Sequence, residues 1–480
     1  MLKKIFLFML AAVLILAAFV LFNTFRFTPP QPDAAALPAP ELTPQSIEHF
    51  QRAIGFKTIS YADPSLFDSA RFLAFRSFLE TTYPGMHTAL SREIVEGYSL
   101  LYKWEGKNPE LEPVVLMAHQ DVVPIEEATR SMWTVDPFAG TIKDGFIWGR
   151  GTTDDKINLI AICEAVEKLL QHDFRPERTV YLAFGHDEEI GGKGAIAMAR
   201  LLKERNIAAA FVLDEGGIVS ASQVPGLAKP VALLGTAEKG YLSLKLTVTV
   251  PGGHSSMPQK ETAIDILAAA LHRLRSQPFA PEISEPMEGF MQSTGPYMGF
   301  AERMAFANRW LFEKPILNQF AKTNTGDAMI RTTMVPTIIE AGIKDNVVPT
   351  IATAVVNLRL LPGHTAQQAM EGVKQRINDN RVAIAPLSTI SEASPVTPVS
   401  GFGYRKIAAA IQRSYPQVIA SPFLVIGATD SRHFTGISSN IIKFSPMIDP
   451  IGFHGIDERV SLESYKTALW FYEQLLSDLK

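Results

Sequence analysis

Cysteine is nearly absent: Cys163 is the single one in 480 residues. That excludes an intramolecular disulfide and a four-cysteine zinc site. The chain also has no long Lys/Arg cluster, and its formal net charge is only −4. Nucleic acid is therefore not an expected partner. No G-x-S-x-G segment occurs, which removes the nucleophile elbow of many serine hydrolases. The GGKG at 191–194 is no phosphate loop, because Lys193 is followed by Gly194 and not by Ser or Thr. Cys163 falls inside an expected helix, where most cysteines are core residues, and it makes a poor nucleophile candidate. What remains is a chain that is 47% hydrophobic, long enough for two or three domains, and not disordered, collagenous or multi-spanning in composition.

One long apolar run is present, at residues 5–22 (IFLFMLAAVLILAAFVLF), preceded by Lys3 and Lys4. At about 1.5 Å per residue it is just long enough to span a bilayer. A cleaved signal peptide usually has a shorter apolar region ending in a small-residue cleavage site. Here the run is longer and is followed by Asn23, Thr24, Phe25 and Arg26. The expectation is an uncleaved membrane anchor at 1–26, with the two lysines cytoplasmic and the body of the protein on the other side. Secretion after signal cleavage is the alternative. Residues 27–45, with six prolines, read as a semi-rigid linker, and the globular part begins near Ser46.

From residue 113 short apolar runs alternate with amphipathic stretches. Val114–Ala118, Thr179–Phe184 and Ala209–Leu213 read as buried strands, and Asp155–Leu170 and Gly194–Lys203 as helices. This is the pattern of an α/β domain: a mixed sheet with helices on both faces. Near Gly235 the character changes. Tyr241–Val250 alternates apolar and polar residues like a half-exposed antiparallel strand. Glu261–Leu274 reads as a helix and Val348–Leu360 as a strand. The division expected is a catalytic domain at 46–237 and 358–480, with an α+β lid or dimerisation domain inserted at 238–357.

Five segments place acids and histidines at or after strand ends, where open α/β sheets bind ligands. The first is Met117-Ala-His119-Gln-Asp121. The strand period of two puts both side chains on one face, as for a metal-binding imidazole and the carboxylate that orients it. A surface His and Asp by chance would look the same. The second is Gly-Arg-Gly151-Thr-Thr-Asp154-Asp155-Lys156. One acid there could be a helix cap; two after a Gly-rich loop are better explained if one meets a cation. The third is His-Asp187-Glu188-Glu189, three acids that repel one another unless something positive sits among them. A solvated acidic loop is the alternative. The fourth is Leu-Asp214-Glu215-Gly-Gly, and the fifth is Gly-Phe-His454-Gly-Ile-Asp-Glu. Imidazole and carboxylate without thiolate suit zinc, cobalt or manganese, and two close metals need a bridging carboxylate.

In this order the five segments resemble the co-catalytic di-zinc exopeptidases, a family that includes aminoacylases, glutamate carboxypeptidase and carboxypeptidase S. The resemblance runs from about residue 46 to the end. The apolar N-terminus and the middle insertion look most like the carboxypeptidase S branch, which also holds hydrolases of N-fatty-acyl amino acids. The resemblance implies two Zn²⁺ per subunit, with Co²⁺ or Mn²⁺ as alternatives. Asp154 would bridge them, His119 and Asp214 would complete one site, and Glu189 and His454 the other. Asp121 would support His119, Glu188 would be the general base, and a cis peptide would join Asp154 to Asp155. His254, in Pro-Gly-Gly-His254-Ser-Ser, matches a histidine that donates to the oxyanion; in many relatives it reaches across a homodimer formed through the inserted domain. Asn346, Arg359 and Asp430 lie in segments similar to those that contact substrate. By residue type alone His254 is more often a structural loop residue, while Arg359 has the planar fork that pairs both oxygens of a carboxylate, with a surface strand charge as the alternative.

The expected activity is hydrolysis of a peptide or N-acyl amide bond next to a free carboxylate, on a small-molecule substrate. A non-catalytic, membrane-anchored binding protein is the reading from another class. The apolar stretch Met287–Phe320 would either line a groove for an acyl tail or cap the inserted domain.

Overall fold

The computed structural model describes residues 1–29, 37, 40–222, 224–387 and 390–479. Much of the expected linker therefore lies outside the described residues. The body begins slightly before Ser46. A helix starts at Pro44, with proline at its first position and Thr43 Oγ1 accepting the Ser46 N–H at 3.1 Å.

The two main sheets use, along the chain, β1 (Ser91–Val95), β2 (Ser99–Trp104), β3 (Val114–His119), β4 (Val180–Gly185), β5 (Phe211–Asp214), β6 (Val231–Glu238), β7 (Gly240–Thr249), β8 (Thr333–Ala341), β9 (Ile351–Leu360), β10 (Val382–Pro386), β11 (Ile419–Val425) and β12 (Ile441–Lys443). The first sheet runs β1-β2-β4-β3-β5-β12-β6-β11, with Val219–Ser220 beside β6. It is mixed as expected: β3 is parallel to β4 and β5, and β11 to β6, while β1, β2 and the β12–β6 pair run antiparallel.

On β3, Val114, Leu116 and Ala118 face one core, and Val115 and Met117 face the other. A strand covered on both sides has to be apolar at every position, which is the run seen in the sequence. The first core is closed by α2 (Lys156–Gln171) and the helix Leu462–Ser477. The second is closed by α3 (Lys193–Glu204) and the turn Asp430–Gly436.

The second sheet, β8-β9-β7-β10, is antiparallel throughout. Its inner face presents Leu242, Leu244, Leu246 and Val248 to α4 (Ala263–Ser276), leaving the intervening polar residues outside. The expected return to the first domain at 358 is corrected here. It would cut β9 in two, and a later helix and β10 still belong to the second core through Ala366, Ala369, Val373, Ile377 and Val382. The second unit extends to 386.

The first and last crossings between the units lie side by side. One residue, Lys239, separates β6 from β7. The returning chain pairs with that joint: Tyr241 N–H donates to Ser391 O at 2.7 Å, and Ser391 N–H to Tyr241 O at 3.0 Å. Gly240 is required there, since a Cβ would lie 2.6 Å from Ala393 N.

The stretch from Met287 to Phe320 forms α5 (Glu285–Thr294), α6 (Phe300–Ala307) and α7 (Arg309–Phe320). It does not cap the second sheet. Met287, Phe290, Met291 and Ile316 are buried against Leu233 of β6 and Phe423 of β11, at the edge of the first sheet. The far side of α6 and α7 meets α1 (Leu2–Arg26), the one helix among the described residues that is long and apolar enough to cross a membrane.

Candidate metal centre

The site sits at the carboxyl ends of β3, β4 and β5. His119 is the last residue of β3, and its Nε2 lies 2.7 Å from Asp154 Oδ1. On the other side of the same carboxylate, His454 Nε2 lies 2.6 Å from Asp154 Oδ2. Two imidazoles thus flank the two oxygens of one buried carboxylate. Glu189 Oε1 is 3.4 Å from His454 Nε2, and Glu215 Oε1 is 3.7 Å from His119 Nε2. Two clusters of candidate donor atoms result, His119–Asp154–Glu189 and His119–Glu188–Glu215. The peptide bond between Asp154 and Asp155 is cis, as the resemblance implied.

The donor set fits divalent metal. Glu189 Oε1 is buried without a hydrogen-bond partner. Burial raises the carboxyl groups of Glu188, Glu189 and Glu215 above their ordinary range, and the Asp154 charge pushes each the same way. The bond to Asp154 and the nearby Glu189 carboxylate hold the His454 imidazole up at about 10. Buried carboxylates and imidazoles converging in this way have the donor chemistry of a divalent-cation site. The residues that would hold it are His119, Asp154, Glu189, Glu215 and His454.

Asp214 does not join them, which corrects the expected ligand set. It is the last residue of β5 and continues the face of Val212, toward the 430–436 turn. Its Oδ2 accepts the Ser431 N–H at 2.8 Å. Glu215, the first residue past the strand, turns to His119 instead.

Asp121 is fully buried and binds three ways. Its Oδ1 lies 3.3 Å from His119 Nδ1 and accepts the Glu188 N–H at 3.2 Å, and its Oδ2 accepts the Glu189 N–H at 3.2 Å. The Asp121 backbone carbonyl, 3.0 Å from the same Nδ1, shares in fixing the imidazole tautomer, and the carboxylate holds the turn that carries both glutamates. Asp121→Asn should lower metal affinity by about 10- to 100-fold, read by chelator competition. Unchanged affinity would show that the contact is incidental.

A buried pair behind the site went unnoticed in the sequence. Arg150 Nη1 donates to Glu458 Oε2 at 2.5 Å, and Nη2 donates to the carbonyls of His454 and Gly455 at 3.2 Å each. Glu458 Oε1 accepts the N–H groups of Gly151 and Thr153 and the Thr153 hydroxyl. This network ties the His454 loop to the loop carrying Asp154. Glu458 and Arg150 stood inside quoted segments, but an acid and a base 308 residues apart give no local signal.

The expected substrate residues are dispersed. Arg359, on β9, lies over the Tyr241 ring with its carbon 4.8 Å from the centroid. Burial lowers its guanidinium from the ordinary value, and the nearby charge of Arg432 adds to this. No carboxylate pairs with either arginine among the described residues. Asp430 is buried, facing Gly185 and Gly192; a Cβ at Gly192 would collide with it. His254 and Asn346 are exposed at one two-stranded ribbon (Gly253–His254 with Val347–Val348), with Ser255 N–H donating to Asn346 O at 3.2 Å. No hydrogen bond or ion pair joins them to the metal centre among the described residues.

Residues 115–478 match the peptidase family M20/M25/M40. The chain is 40% identical to a probable carboxypeptidase S-like protein of Dictyostelium discoideum, over 95% of this chain and 90% of that one. It is 38% identical to the human N-fatty-acyl-amino acid synthase/hydrolase, over 90% and 87%. Among solved structures, an M20 family metallo-carboxypeptidase from Sulfolobus solfataricus shares the fold at a TM-score of 0.62 and 17% identity, covering 91% of this chain and 99% of that one. Human carnosine dipeptidase 1 does so at 0.59 and 14%, covering 92% and 100%. With its mixed sheet, its clustered histidines and carboxylates and these relatives, the chain belongs to peptidase family M20/M25/M40 and is a metal-dependent hydrolase.

Proposed function

We propose that this chain holds two zinc ions and hydrolyses an amide bond whose amine side carries a free carboxylate, in a short peptide or an N-acyl amino acid. The observation that supports it most is the pair of imidazoles on the two oxygens of Asp154. We assign His119 and Glu215 to one metal, Glu189 and His454 to the other, and Asp154 to both. Bound there, zinc supplies a Lewis acid that polarises the scissile carbonyl and makes water acidic enough to attack near pH 7. Glu188 takes the proton of the attacking water on its carboxylate and hands it to the leaving nitrogen. Asp121 keeps Glu188 and His119 in register for that transfer.

Among the described residues, the arginines 359 and 432 carry positive charge with no carboxylate partner, which suits the substrate's free carboxylate. Asn346 lies on the same insertion and is assigned to the substrate side. Asp430, being buried, is assigned to supporting the Gly185–Gly192 turn. Amidating the carboxylate of a good substrate should lower kcat/KM by about 10- to 100-fold, the worth of a hydrogen-bonded charge. An equal rate for the amide would remove the carboxylate from the recognition scheme. The same panel, run over dipeptides and N-acyl amino acids of rising chain length, separates the two substrate classes that the relatives' names represent.

His254 stands exposed and apart from the metals, and we infer that it donates to the oxyanion in the site of a second copy, through a homodimer of the inserted units. We also infer that α1 is retained as a single-pass anchor, with the body on the non-cytoplasmic side. Asn308 is fully buried beneath it, donating to Val20 O at 3.1 Å and accepting from Asn23 Nδ2 at 3.0 Å. Those bonds make the helix part of the fold.

A further inference from the structure

We propose that the elbow between α6 and α7 is a second membrane contact, which lays the catalytic body against the bilayer that α1 crosses. This rests on the reading of α1 as a retained anchor. The apolar run of α1 ends at Phe22. Phe19 meets Trp310 of α7 with ring centroids 6.0 Å apart, and Phe25 meets Phe300 of α6 at 6.4 Å. Phe19 and Phe25 each lie three residues from Phe22, about 4.5 Å along the helix. The elbow therefore straddles the depth at which the hydrocarbon should end.

At that depth it presents apolar side chains outward. Phe300 is 55% exposed, Trp310 58% and Leu311 42%. Three large hydrophobics next to a membrane span, one of them tryptophan, have the composition of an interfacial anchor. Arg303 donates to Phe25 O at 3.3 Å, just outside the apolar run and beside Arg26, and the elbow also exposes Glu302 and Glu313. The two guanidinium groups would reach the headgroups. The elbow is also braced. Asn308, at its corner, donates to Thr24 Oγ1 at 3.2 Å, and α5 beneath it bonds the sheet edge through Ser293 Oγ and Ser421 Oγ at 2.7 Å. Anchor, elbow and catalytic sheet form one packed path, so the occupant that fits the exposed face is the lipid surface through which α1 passes.

The test uses the full chain in dioleoylphosphatidylcholine vesicles. Native Cys163 is fully buried and should stay unlabelled. A polarity-sensitive fluorophore is placed at Trp310→Cys and, separately, at Leu10→Cys within α1. Both labels should shift to the blue and be quenched by nitroxide lipids, the first most by a nitroxide near the headgroup. A quenched label at 10 with a water-exposed label at 310 overturns the second contact and leaves the anchor standing. A label at 310 that is blue-shifted but not quenched by lipid also overturns it, in favour of contact with another protein copy. Two unquenched labels overturn the anchor and the proposal together.

Discussion

Glu188→Gln should lower kcat by about 10²- to 10⁴-fold, the range a positioned general acid–base group supplies. Metal content should stay near that of the native protein. The two parts of this result belong together. Glu188 lies beside His119 and Glu215 in a cluster of donor atoms, yet its backbone N–H, and not its carboxylate, is what Asp121 holds. Gln keeps the size and the backbone N–H hydrogen bond to Asp121 but cannot act as the base. Steady-state rates and metal analysis on the same preparation check the outcome. Native activity would end the assignment of Glu188 as base; lost metal would make it a ligand instead.

Glu458→Ala should cost about 3–5 kcal/mol in the unfolding of the catalytic domain, the usual penalty for leaving a buried charge without its partner. Both side chains of the pair are almost wholly buried. Arg150 would keep its bonds to His454 and Gly455 carbonyls but lose the carboxylate, and three donors at Gly151 and Thr153 would lose their acceptor. Replacing both partners, as Arg150→Met with Glu458→Leu, should cost less than the two single changes summed. Denaturant unfolding of Glu458→Ala, of the single variants Arg150→Met and Glu458→Leu, and of the double variant measures this. A Glu458→Ala loss below about 1 kcal/mol would show the pair to be solvated, contrary to its burial.

Much of the centre was legible because strands in this sheet are buried on both faces. Their apolar runs are continuous, so the first charged residue after each run marks a carboxyl end. His119, Glu188, Glu189 and the acid pair at 214–215 stand out for that reason. Which member of that pair turns inward was not legible. Asp214 still follows the strand's alternation and Glu215 does not, and the choice depends on where the strand stops and on Ser431, 217 residues on. The domain boundary failed for a related reason. The alternation of β9 runs unbroken through Leu360, and the following helix has an ordinary amphipathic face whose partner, α4, is remote in sequence. The helical insertion was recognised as apolar, but its target was not, since residues that pack on β11 and on α1 look the same in sequence as those lining a groove.

The joint at Lys239 and Gly240 makes the second sheet a lever. The two chain segments at this joint are bonded to each other, so it resists twisting. From there β7 reaches outward over ten residues, about 34 Å at strand rise, before the chain turns into the ribbon bearing His254. Each degree of bend at Gly240 therefore carries that ribbon by about 0.6 Å, while Arg359, paired with Tyr241 beside the pivot, hardly moves.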